Sequence, residues 1–191
     1  MYKYLGMLFV LISADLLAQE IPDYKGEYVF TNSKVSMRGI RELITHEEEG
    51  KRTIQFNAKF PLGRIKIISD FIEENNLISS TQYYVDAKVL IRSDKRTLSY
   101  DQSSGTLTSK GKFEWSQTLL KNENVFDPLN VQIQIRKNVI AGLKDFSLML
   151  PDLKTGAIEA NNYKVVDSGS FEVDGTVYPC IIVCLLYTSP S

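Results

Sequence analysis

Between Tyr24 and Leu120 the chain alternates apolar and polar residues in short runs broken by turn formers, a pattern that predicts strands. Ile54, Phe56, Ala58 and Phe60 alternate with Gln55, Asn57 and Lys59, the period of two of a sheet with one buried and one wet face. Pro61-Leu62-Gly63 reverses the chain. The next run, 64–72, keeps Ile65 and Ile67 on one face until Glu73-Glu74-Asn75-Asn76 breaks it. Further strands are expected over 78–91, 96–101, 105–110 and 112–120, with a turn at Ser103-Ser104-Gly105.

From Asp127 to Gly142 the pattern changes. Leu129, Val131, Ile133 and Ile135 alternate with Asn130, Gln132 and Gln134, which suits a strand, yet with Val139, Ile140 and Leu143 they also fill one arc of a helical wheel. Asp127-Pro128 fits a helix cap followed by proline in the first turn, and Gly142 fits a helix end, so the terminal signals favour a helix near 127–142. Strand character resumes over 146–150, 158–166 and 170–183, punctuated by Lys154-Thr155-Gly156 and by Val173-Asp174-Gly175 with its hairpin-forming Asp-Gly pair. The expected fold is mainly β: one antiparallel curved sheet, or an incomplete β-barrel meander, with a single helix.

A chain of 191 residues, 43% hydrophobic and 24% charged, has room for one sizeable core, and 19–183 reads as a single β-rich domain. With 22 Lys+Arg against 23 Asp+Glu, interspersed, no basic field favours nucleic acid. The N-terminus has the layout of a secretory signal peptide over 1–18: Met1-Tyr2-Lys3, an apolar run from Tyr4 to Ile12, then Ser13 to Ala18 ahead of polar Gln19-Glu20. The apolar run is too short to span a bilayer, which takes about 20 residues, and Gln19 in place of cysteine argues against a lipoprotein. Export to the periplasm or outer-membrane periphery of a Gram-negative bacterium is expected. Cys180 and Cys184, on one strand, would lie about 13 Å apart at about 3.3 Å per residue, too far for a disulfide.

Two stretches resemble known sequences. Cys184-Leu185-Leu186-Tyr187-Thr188-Ser189-Pro190-Ser191 resembles a peptide found where translation of an environmental reading frame has run into library adaptor, so 184–191 is expected to be an artefactual tail and the domain to be truncated near Val183. The run from Asp127-Pro128-Leu129-Asn130 through Ile135-Arg136-Lys137-Asn138 to Ala141-Gly142 resembles the helical segment of the exported bacterial family grouped as domain of unknown function 3108. Tyr163-Lys164-Val165-Val166, the Asp-Gly turn and Tyr178-Pro179-Cys180-Ile181-Ile182-Val183 are similar to that family's late strands. The resemblance implies an envelope location and a curved sheet or barrel. It implies no activity and no site residues.

Candidate chemistry is sparse. His46 is the sole histidine, which excludes a multi-histidine zinc site and leaves any Ser-His-Asp arrangement to depend on it; its setting, Thr45-His46-Glu47-Glu48-Glu49-Gly50, reads as a solvated turn. The three glutamates lack the spacing of a calcium loop, no phosphate loop occurs, and no spacing nominates a carboxylate pair for a hydrolase. Phe113 and Trp115 would share a strand face, and Tyr83 and Tyr84 are also large aromatics; each either packs the core or lines a ligand cavity. The expected function is therefore a non-enzymatic envelope module without a cofactor, binding a lipid or other apolar small molecule. The alternatives are a structural or protein-interaction component of the envelope and, more remotely, a carboxylate-dependent hydrolase.

Overall fold

The alternating runs become eight strands, each paired antiparallel with its neighbour in the chain: β1 (Tyr24–Thr31), β2 (Ser36–His46), β3 (Lys51–Phe60), β4 (Gly63–Glu74), β5 (Leu77–Val89), β6 (Arg92–Asp101), β7 (Thr106–Gly111) and β8 (Trp115–Thr118). The structure is a computed structural model and describes residues 20–31, 36–74, 76–120 and 123–186; the expected signal peptide and residues 187–191 lie outside that set. Along β3, Arg52, Ile54 and Ala58 are buried while the residues between them stay partly open, so the period of two holds. Pairing keeps whole rows on one face. The row Leu43, Ile54 and Ser69 continues through Tyr83 to Leu98, and we call this the inner face. A bulge between Asp70 and Phe71 leaves Thr81 as the extra residue, its Oγ1 donating to the Asp70 carbonyl at 2.9 Å, and bends the sheet.

The segment after β8 turns inward. Val125, Phe126, Leu129, Val131 and Ile133 are all buried with Leu43, Ile54, Phe71, Ile78, Leu98 and Leu107, so the chain between the sheets packs against one half of the inner face. Each such large aliphatic or aromatic side chain contributes about 1.5–3 kcal/mol by leaving water. Helix α1 (Val131–Ile140) forms here. Its start is capped one turn early: the Asp127 carboxylate accepts from the Leu129 and Asn130 amides at 2.8 and 2.9 Å. Its end is a Schellman closure in which the Gly142 amide donates to the Val139 carbonyl at 3.0 Å and the Leu143 amide to the Asn138 carbonyl at 3.0 Å, with Gly142 at φ 83°. The terminal signals, and not the ambiguous periodicity, decided this element.

Three further strands make a second sheet in the order β11-β10-β9: β9 (Asp145–Pro151), β10 (Ile158–Val173) and β11 (Thr176–Leu186). The expectation of one sheet is corrected to two, because the helix and its lead-in separate β8 from β9, which pairs with β10. Neither sheet closes into a barrel: β1 and β8 flank the first, β11 and β9 the second. The lead-in is stitched to β9 by a parallel bridge from Val125 to Met149 and a 2.9 Å bond from the Phe126 amide to the Met149 carbonyl. The strands expected over 158–166 and 170–183 are divided differently: β10 runs unbroken through 167–169 with a bulge between Val165 and Asp167, and Asp174-Gly175, with φ 49° and 78°, forms the expected tight turn into β11. β11 continues past Val183, pairing Leu185 with Tyr163 and Leu186 with Asn162.

The strand expected over 78–91 also differs. It ends at Val89, and Leu90-Ile91 is a two-residue hairpin. Nothing in the composition of these two residues signals a turn; pairing of Val89 with Arg92 imposes it.

Candidate functional site

The four aromatics singled out in the sequence do not converge. Tyr83 points into the core from β5, 3% exposed, and burial raises its phenol above the ordinary value. Tyr84, the next residue, falls on the opposite face by strand alternation and is half-buried. Phe113 and Trp115 are brought together, at a joint between the two sheets. The Trp115 indole N–H donates to the Leu153 carbonyl at 3.4 Å, Arg96 donates to the same carbonyl at 3.0 Å, and the Arg96 guanidinium lies 5.1 Å from the Phe113 ring centre. A Cβ on Gly156 would come within 2.6 Å of the Trp115 ring, so the loop backbone rests directly on the indole.

Two polar groupings are likewise committed to the fold. Asp127, fully buried, accepts from the Ser69 hydroxyl at 2.7 Å besides capping the helix lead-in; burial pushes its carboxyl up to about 7, the hydrogen bonds pulling the other way. Asn130 donates to Ser80 Oγ at 2.8 Å, tying the same turn to β5. At the end of the sheet where β2 meets β3, buried Arg52 bonds Glu73 at 2.7 Å, the Ile21 carbonyl at 2.6 Å and Asp23 at 3.2 Å, while Lys137 of α1 pairs with the other Glu73 oxygen. Burial works to raise the Glu73 carboxyl, but hydrogen bonds from Lys137 and Arg52 outweigh it and hold the group below its ordinary value. A polar groove opens beside this network, lined by His46, Lys51 and Asn76 among others. His46 bonds Thr53 at 3.0 Å, and no group of three or more metal-capable side chains occurs among the described residues.

What the core cluster leaves outside, among the described residues, is the other half of the inner face, toward the hairpins that join β3 to β4 and β5 to β6, where Phe56, Phe60 and Ile65 are half-buried and Ala58 and Gly39 form a buried floor. Register places Tyr28, Gly39, Ala58, Ile65 and Ala87 in one row across five strands, with Phe56 and Phe60 on either side of Ala58 along β3. Tyr28, Phe56, Phe60, Ile65 and Val89 lie outside the core cluster, and Tyr28 and Val89 are 47% and 38% exposed. Gly39 is required here: a Cβ would come within 2.5 Å of the Phe56 ring, which lies across β2. Toward the helix, Arg41 bounds this apolar floor, 5.3 Å from the Tyr28 ring centre and donating to Gln132 at 2.6 Å. At the hairpin end, exposed Arg92 sits opposite Val89 on the same face. An apolar strip between two guanidinium groups can hold a hydrocarbon chain and neutralise an acidic head.

Alternation made Phe56, Phe60 and Ile65 recognisable as inner-face residues. It could not separate the half of that face that the helix lead-in covers from the half it leaves open. Comparison of the chain with protein families, with characterised proteins and with solved structures finds no match.

Proposed function

We propose that the chain is an exported envelope protein that binds the apolar chain of an anionic amphiphile on the open half of its inner sheet face. The observation that carries this reading is the strip of Tyr28, Phe56, Phe60, Ile65 and Val89, outside the core cluster and bounded by Arg41 and Arg92. Export rests on the N-terminal leader pattern, and the resemblance to domain of unknown function 3108 supports an envelope setting. The committed hydrogen bonds of Glu73 and Asp127 favour binding over acid–base chemistry.

The test is titration of the full chain with 1-anilinonaphthalene-8-sulfonate, an apolar dye with an acidic head, followed by competition with a long-chain fatty acid. Saturable binding that the fatty acid displaces is expected, with an affinity about tenfold weaker in F60A/I65A, roughly the 1.4 kcal/mol of one or two lost apolar contacts. Absence of dye binding to the native chain, or equal affinity in the variant, overturns the proposal. Melting followed by circular dichroism shows whether the variant keeps its fold.

A further inference from the structure

The two hairpins that border this face carry side chains unsuited to turns in water. Leu62 is 48% exposed, Leu90 61% and Ile91 99%, next to exposed Pro61 and Val89. Turn positions normally hold Gly, Asn or Asp, which tolerate unusual backbone angles and hydrate well. Leu90 instead adopts φ 54°, a region that branched and bulky side chains rarely enter. A strained leucine beside a fully exposed isoleucine is an outlier of the sort kept for function.

The hairpins are held as one unit. The Leu90 amide donates to the Leu62 carbonyl at 2.8 Å, and Gly63 pairs with Val89 so closely that a Cβ on Gly63 would fall 1.9 Å from the Lys88 carbonyl oxygen. The apolar tips therefore project together from a rigid base.

Behind them lies a cationic collar. Lys59, Arg64 and Lys88 are consecutive cross-strand partners on the outer face, all exposed, with Lys66 one step behind and Arg92 on the inner face. Like charges placed directly opposite destabilise a sheet. Asp86 is the acid set among them, 3.1 Å from Arg64. Lys59, Lys88 and Arg92, for which no ion pair occurs among the described residues, lie with Arg64 within one or two residues of the tips, where lipid phosphates would meet them if the tips entered a membrane interface.

We infer that the paired tips, Pro61-Leu62 and Leu90-Ile91, dock the protein on a bilayer surface rich in anionic headgroups. The apolar residues enter the interface and the collar of Lys59, Arg64, Lys88 and Arg92 engages phosphates. The open inner face begins immediately behind the tips, at Phe60 and Val89, so docking would bring it to the membrane.

Flotation of the full chain with vesicles of phosphatidylglycerol and phosphatidylcholine tests this, with vesicles of phosphatidylcholine alone as the comparison. Binding to the anionic vesicles is expected, at least tenfold weaker on the neutral ones and falling with added salt. L90N/I91S should reduce it at least tenfold, asparagine being compatible with the positive φ at position 90 so that the turn is preserved. Ile91→Ser alone, at a position with no packing to lose, should lower it severalfold. Dye binding by L90N/I91S should stay unchanged, which separates docking from the ligand face. Failure of the native chain to float with anionic vesicles overturns the inference, as does equal flotation of both variants; loss of dye binding with flotation intact would sink the ligand proposal alone.

Discussion

Asp127 shows how one side chain serves two roles that conflict. As a cap it needs oxygens to accept from Leu129 and Asn130, yet its position against Ser69 removes it from water, and burial raises its carboxyl to about 7. A carboxyl whose folded value lies above its unfolded value, about 3.9, binds protons more tightly in the folded chain; its contribution is fully present below about pH 4 and is lost as pH rises toward 7. Asp127→Asn keeps an accepting oxygen and abolishes the titration. Urea unfolding across pH 4 to 8 should show the native chain losing stability relative to the variant by roughly 3–4 kcal/mol, at 1.36 kcal/mol per pH unit. A pH-independent difference would contradict the account. The sequence marks Asp127 as a cap through Pro128 and the apolar run beyond it, but its burial depends on β4 and β5 meeting over it.

Among the elements, α1 is fastened to the sheet by charge as well as by packing. Glu73 on β4 joins Arg52 of β3 to Lys137 of the helix, with Arg52 and Lys137 almost wholly enclosed. Glu73→Gln leaves buried Lys137 facing a neutral amide and Arg52 with only the more exposed Asp23 and Glu20, and is expected to cost about 3 kcal/mol. Lys137→Met leaves the Arg52–Glu73 pair intact and should cost less; denaturant midpoints of both variants check the order. The hairpins divide by chemistry. Asp174-Gly175 is legible as a turn because both residues accept positive φ, and Pro61-Leu62 because proline cannot continue a central strand. Leu90-Ile91 reads as strand because both residues favour strands, and the turn exists because β5 and β6 pair across it.

At the scale of the whole molecule the two sheets share one core: Leu148 and Tyr163 from the second are buried in the same cluster as Leu98 and Leu107 from the first. Trp115, the sole tryptophan, stands at the joint with its indole bonded to Leu153, so its fluorescence reports the contact between sheets. Thermal unfolding followed by that fluorescence and by far-ultraviolet circular dichroism should give coincident midpoints. A fluorescence transition at clearly lower temperature would mean that the sheets separate before they unfold. The sequence by itself determined the strand content, the helix and those antiparallel hairpins whose turns carry glycine or proline, since each follows from a period of two, a turn residue or a cap acting within a few positions. The tertiary structure decided that the strands form two sheets and that Tyr83 is core while Phe60 and Val89 stay partly open. It also set Leu62, Leu90 and Ile91 side by side in front of a row of cations. Those outcomes depend on which distant segments meet, and a local pattern carries no record of what covers a face once the chain has folded.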